Sequence, residues 1–258
     1  MIMCKIRYTL FLTLTSLSFA LSSKAQEMPS IHYARTHVEP IEDSDAFKQL
    51  FIKWKGFVEQ HAPEVAPWEI FTDSNGRFHH ISFMQDYGEI HERQDAFDNA
   101  LAKHQRLGLP SLKPDWIKMS RSQSKSLWKF RPDLSYIKGP MDSEANPFRQ
   151  LYFIYPKKAR FDDWIQGLIL LNEMDASLEH SYHRYVYECQ FGEDLPLFVV
   201  VVPGKDKLSH AKAVDVRRQA RAGLDAHVKR QELVKDATRK IEDVRLKYHP
   251  DLSYKGTQ

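Results

Sequence analysis

Cysteine is scarce in this chain: Cys4 and Cys189 are the two thiols among 258 residues. Cys4 lies before an apolar stretch, Tyr8 to Leu21, which follows Lys5 and Arg7 and leads into Ser23-Lys24-Ala25, the pattern of a signal peptide with Gln26 as the mature start. The stretch is short for a membrane span, and Thr and Ser interrupt it, so cleavage outweighs an uncleaved anchor. A lipoprotein would carry its acceptor cysteine after the apolar stretch, not before it. Cleavage leaves Cys189 alone, which excludes an intramolecular disulfide in the oxidising compartment that export implies. Its setting, Tyr-Val-Tyr-Glu-Cys-Gln-Phe, predicts burial as a small apolar residue.

Other absences narrow the function. There is no glycine-rich phosphate loop, no Gly-x-Ser-x-Gly elbow and no Cys/His cluster of zinc spacing. Triads assembled from distant residues survive that exclusion. An excess of positive charge is missing too. Removing residues 1–25 takes away Lys5, Arg7 and Lys24, leaving 34 basic against 34 acidic residues, so a nucleic-acid partner is not expected. Only Lys205 to Lys247 carries a local excess of Lys and Arg, which reads as solvated helix faces ahead of a site for an anionic surface.

What the chain does contain is a repeat. KFRPDLSY at 129–136 returns as KYHPDLSY at 247–254, an offset of 118 residues. The same offset aligns Phe78–Met84 with Pro196–Val202, both strand-like, and Trp68–Phe71 with Val186–Cys189. Asn75-Gly76 marks a hairpin turn between the first pair, and Gly192-Glu193-Asp194 takes its place in the second. A strand and a helix precede each hairpin. Ile31 to Val38 leads to a helix whose apolar stripe is Phe47, Leu50, Phe51, Trp54, Phe57 and Val58; Gln150 to Tyr155 leads to one carrying Phe161, Trp164, Ile165, Leu168 and Leu171. Helix is expected after each hairpin, over 87–106 and 113–128 in the first copy and 207–247 in the second, where Val234, Ala237, Ile241 and Val244 form a stripe. Each Pro-Asp-Leu-Ser-Tyr segment is expected to close its unit as a fourth strand.

The fold class is therefore α+β: two tandem ferredoxin-like β-α-β-β-α-β units, each an antiparallel sheet with helices on one face. The boundaries are 1–25 for the signal peptide, 26–137 for the first unit, 138–147 for a linker and 148–258 for the second. Two units with bare sheet faces toward each other resemble the dimeric α/β-barrel superfamily in fused form. The entry Tyr33-Ala34-Arg35-Thr36-His37-Val38-Glu39-Pro40, running into an amphipathic helix, is similar to the entry of such domains. That superfamily spans cofactor-free monooxygenases, cyclases, lyases and haem enzymes, so the resemblance implies a cavity without fixing a reaction.

Candidate ligand-binding residues come from strand alternation. If the more apolar face packs under the helices, Arg35, His37, His80 and Ser82 face the cavity. Their counterparts at the repeat offset are Phe153, Tyr155, Phe198 and Val200, apart from the Tyr155 hydroxyl an apolar lining. Tyr155 and Tyr187 join the candidate lining. A pocket mostly apolar with a few polar groups suits an organic ligand, and histidine or arginine there could move a proton or hold a carboxylate. A solvent-facing sheet surface is the plain alternative. His180 and His183 fall on opposite sides of a strand, and His91-Glu92-Arg93-Gln94-Asp95 lacks the second histidine of a zinc helix, so no metal and no cofactor is assigned. The expected function is an exported protein, periplasmic or secreted, that binds a small, partly apolar ligand between its sheets, with cofactor-independent chemistry as an option. The alternative is a non-catalytic interaction or homodimerisation scaffold with a filled interior and an exposed apolar patch. No stable membrane span is expected after signal cleavage.

Overall fold

In the computed structural model, the described residues are 32–40, 44–110, 118–138, 142–180 and 182–256, with backbone alone described for 32–40. The proposed signal peptide lies outside them. Eight antiparallel strands close a barrel: β1 (His32–Pro40), β2 (Glu69–Asp73), β3 (Phe78–Met84), β4 (Ser120–Phe130), β5 (Phe148–Pro156), β6 (Tyr185–Phe191), β7 (Phe198–Gly204) and β8 (Thr238–Tyr248). Around the ring the order is β1-β3-β2-β8-β5-β7-β6-β4. Each half thus supplies four consecutive strands of the ring, β4-β1-β3-β2 and β8-β5-β7-β6, the ferredoxin-like order twice. The pairing of each first strand with its hairpin keeps one register in both halves: Arg35 stands opposite Ile81, and 118 residues later Phe153 stands opposite Val199. The β1–β4 and β5–β8 pairings differ: Arg35 pairs with Ser126, but Phe153 pairs with Glu242, where the offset calls for Val244.

The helices lie outside the barrel: α1 (Ser44–His61) and α2 (Glu89–Arg106) on the first half, α3 (Phe161–Ser177), α4 (Lys207–Arg221) and α5 (Asp225–Val234) on the second. All six residues of the expected α1 stripe are buried, packed with Ile70 and Phe78 of the sheet. Trp164 and Leu168 of α3 do the same against Val186, Phe198, Val200 and Val202. Each such side chain, removed from water, contributes roughly 1.5–3 kcal/mol.

The expected helix over 207–247 holds across α4 and α5, but its last part, like most of the one expected over 113–128, is a strand. Residues 120–130 and 238–248 are β4 and β8, and the helical stripe over 234–244 does not exist, since Ile241 is exposed. The telling pattern is alternation at the ends of these segments. Ser126, Trp128 and Phe130 of β4 are buried, and Leu246 and Tyr248 of β8 are buried beside half-buried Val244. The charged and polar first halves of both strands obscure that period.

The repeated octapeptide also does something other than close its own unit. Lys129-Phe130 and Lys247-Tyr248 end β4 and β8, which cross to the opposite half: β4 pairs with β6, and β8 with β2. Pro-Asp-Leu-Ser-Tyr then tucks into that half's helix layer. Leu134 is fully buried in the second half's outer core and Leu252 in the first half's. Ser135 Oγ donates to Arg131 O and accepts from Val186 N–H, while Ser253 Oγ donates to His249 O and accepts from Ile70 N–H. Tyr136 bridges to Arg184 and Tyr254 to Trp68. The motif occurs twice because each half clasps the other with it.

Candidate functional site

An eight-stranded barrel has an interior that side chains just fill. Here Phe71, Trp128, Phe130, Leu151, Phe153, Tyr155, Tyr185, Tyr187, Cys189, Val199, Leu246 and Tyr248 fill it. The space left beside Glu69, Phe71, Arg149, Tyr185 and Tyr187 is about 40 Å3, on the scale of one or a few waters. Burial pushes the Glu69 carboxyl up, against a hydrogen bond from Ser143 and the nearby Arg149 charge. At another point of the lining, buried Asp73 accepts from Arg77 Nε at 2.6 Å and lies 3.2 Å from the His79 ring. Burial raises its carboxyl, but hydrogen bonds from His79, Arg77 and Asn75 together hold it well below the carboxylate range.

The predicted site residues divide across the sheet. Tyr155 and Tyr187 face the interior. Tyr155 donates to Glu242 Oε2 at 3.2 Å, and burial together with that carboxylate pushes its hydroxyl up to about 12. His80 and Ser82 sit on the other face. His80 stacks on Trp68 at 6.0 Å beneath the helix layer, where burial first and the Lys125 charge second hold it down at about 4. Ser82 Oγ accepts from Arg93 Nη1 of α2 at 2.9 Å. The assumption that the more apolar face lies under the helices fails because the barrel is closed: both faces are covered, so apolarity does not tell them apart. Arg35 and His37 occupy register positions opposite Ile81 and His79, and their side chains lie outside the described residues. His180 and His183 lie outside helix and strand ahead of β6, and His91 is exposed near the start of α2. Among the described residues no group of three or more His, Cys, Asp or Glu could hold a metal.

A larger space lies outside the barrel, on the second half. A cleft of about 390 Å3 opens between the outer face of β5 and β7 and helices α3, α4 and α5. Its apolar walls are Ile154, Val200 and Val202 from the sheet, Leu168 and Leu171 from α3, and Val214 from α4. Its polar lining is Tyr152, Tyr182, Arg184, His210, Arg217, Arg218, Arg221, His227 and Arg230. Local sequence explains how these side chains arrive there. Asp206 caps α4 through a reciprocal pair, accepting from Ser209 N–H at 2.8 Å while Ser209 Oγ accepts from the Asp206 N–H, and this fixes the helix carrying His210, Arg217 and Arg221. Gly167 of α3 lets α5 approach: a Cβ there would stand 2.3 Å from Val234 Cγ1. Arg230 Nε donates to the Gly167 carbonyl at 3.1 Å.

One carboxylate organises the cationic wall. Asp175, with no exposed surface, accepts from Arg221 Nε at 2.7 Å and Nη2 on one oxygen, and from Arg184 Nη1 at 2.9 Å and the Tyr182 hydroxyl on the other. Burial pushes the Tyr182 hydroxyl up to about 12, so it stays protonated and donates. Arg217 lies 3.9 Å from the Tyr182 ring centroid, stacked on its face. Burial lowers the proton affinity of Arg217 and Arg230 and of His210, the last helped by the Arg217 and Arg245 charges. Four buried polar atoms lack a hydrogen-bond partner among the described residues: Arg184 Nε, His210 Nε2, His227 Nδ1 and His180 Nε2. The first three residues line this cleft. Sequence reading missed this site, although the basic excess over 205–247 was its trace.

No family model matches the sequence, and no curated protein does. Solved structures do. A candidate monooxygenase from Fusobacterium nucleatum superimposes with a TM-score of 0.55 at 11% identity over 90% of this chain and 97% of its own. An anthrone oxidase-like protein gives 0.53 at 11% over 84% and 91%. Chlorite dismutase from Candidatus Nitrospira defluvii, in complex with imidazole, gives 0.51 at 9% over 88% and 94%. At these identities the likeness establishes architecture: the chain has the ferredoxin-like dimeric α/β-barrel fold, with both halves on one polypeptide.

Proposed function

We propose that this protein binds a small, partly apolar molecule in the cleft beneath α4 and α5 of its second half. The observation that carries the reading is the coincidence of an apolar, ligand-sized space with buried polar atoms that have no partner of their own. This moves the expected site from between the sheets, where the space is water-sized, to the outer face of one sheet. The filled barrel agrees with one expectation of the scaffold alternative, but a scaffold gives no reason for unpartnered His210 and Arg184 atoms beside a cleft. Export belongs to the same reading and rests on the N-terminal segment; cell fractionation tests it.

The chain's own groups would bind and orient the ligand and keep water from its apolar part. A haem is one member of this ligand class, and the donor set fits it: His210 Nε2 would offer a nitrogen to the iron, and Arg217 and Arg230 would partner its acidic substituents. Bound there, it would supply redox chemistry at iron. Native mass spectrometry of protein purified without denaturants tests the binding reading. A releasable adduct is expected, and Leu171→Trp, which fills the cleft, is expected to lose it. An adduct kept by that variant would refute the site, and a Soret band in the absorption spectrum would identify a porphyrin.

A further inference from the structure

The charge ledger of the cleft is unbalanced. Its five arginines meet two carboxylates: Asp175, which is engaged by Arg184 and Arg221, and Asp215, which pairs with Arg218 at the surface. Arg217 and Arg230 have no carboxylate within 4.0 Å among the described residues. Asp175 has no capacity left for them, because both its oxygens already accept two hydrogen bonds. Arg217 is only 9% exposed, and its contact with Tyr182 is with the ring face, which leaves the in-plane N–H groups without a protein acceptor among the described residues. Among the described residues, Arg230 has one of its five N–H donors engaged, on Gly167 O.

Resting on the cleft reading above, we infer that the ligand carries an acidic group, a carboxylate or phosphate, held by Arg217 and Arg230, with an apolar body against Leu168, Leu171 and Val202. Burying a guanidinium is costly without a counter-charge, and a ligand anion supplies it. The fork of N–H donors suits a two-oxygen acceptor better than any neutral group. Orphaned His210 Nε2, lining the same cleft, gives the acid a third neighbour, and the bound anion would favour the protonated form of its ring.

Calorimetry with three ten-carbon probes tests the inference: decanoate, decan-1-ol and decyltrimethylammonium, at low salt and pH 8. Decanoate is expected to bind at least tenfold tighter than decanol, with the cation weakest. Arg217→Gln and Arg230→Gln are each expected to remove most of that preference while decanol binding stays within twofold. Equal binding of decanoate and decanol by the unaltered protein overturns the acidic-group inference and leaves the cleft reading standing. Binding of none of the three overturns both. A preference that survives in a folded double variant overturns the assignment to these arginines; the wild-type comparison decides the sign even if the variants misfold.

Discussion

Asp175→Asn is the most searching perturbation of the second half. The carboxylate is wholly inaccessible, and its partners Arg184 and Arg221 have side chains only 5% and 14% exposed. Asparagine keeps the shape but replaces one acceptor oxygen with a donor that faces Tyr182 and Arg184 or Arg221. Removing one partner of a buried ion pair leaves an uncompensated charge and costs about 3–5 kcal/mol. For a folded chain of this size, about 2–4 °C of melting temperature accompanies each kcal/mol, so the expected drop is roughly 6–20 °C. Asp215→Asn is the control: its pair with Arg218 is 58% and 72% exposed, and such pairs contribute about 0–1 kcal/mol. Differential scanning calorimetry of the two variants reads the difference. Sulfate should then raise the Asp175→Asn melting temperature more than that of the unaltered protein, because an anion can enter the vacated electrostatic role. A drop no larger than that of Asp215→Asn would refute the claim that one buried carboxylate holds the arginine wall together.

Further outcomes follow from the same geometry. Ser253→Ala strands the buried Ile70 N–H and is expected to cost about 1–3 kcal/mol in urea denaturation, and Leu252→Ala about 2–5 kcal/mol, with Ser135→Ala and Leu134→Ala giving comparable losses from the other half; negligible losses would mean that the exchanged segments do not hold the halves. Gly167→Val places atoms where Val234 now sits, so α5 shifts, Arg230 leaves the cleft and the decanoate preference falls; an unchanged preference at unchanged stability would contradict the packing. His80 is held at about 4 in the folded state against 6.5 when unperturbed, so between those values the unfolded chain binds a proton that the folded chain does not. Stability is accordingly lost as pH falls from 6.5 toward 4, and His80→Gln should flatten that slope in denaturant titrations at pH 7 and pH 5.

Much of the architecture was legible in the residues. The offset of 118 located both hairpins and both first strands, because the register is kept in both halves where each first strand pairs with its hairpin and where the hairpin strands pair with each other. The α1 stripe was legible because aromatic residues at three- and four-residue spacing have one way to be buried. β4 and β8 were not, since residues 121–125 and 239–243 are exposed on both faces and the period of two survives only at the strands' ends. Nor could any local pattern say that Leu134 belongs to the second core and Leu252 to the first, a contact decided by strand exchange across the barrel.

The sequence by itself determined that two ferredoxin-like halves would form, because helix and strand periods are local and repeat. Tertiary structure alone decided where a ligand could sit. Closure of the sheet buried both of its faces, which turned His80 and Ser82 away from the interior and filled that interior with rings. The packing of α4 and α5 over β5 and β7 then converted an ordinary-looking run of basic residues into a buried Arg217 and a half-buried Arg230 with no carboxylate within 4.0 Å among the described residues, a property that exists only once distant chain segments exclude water from them.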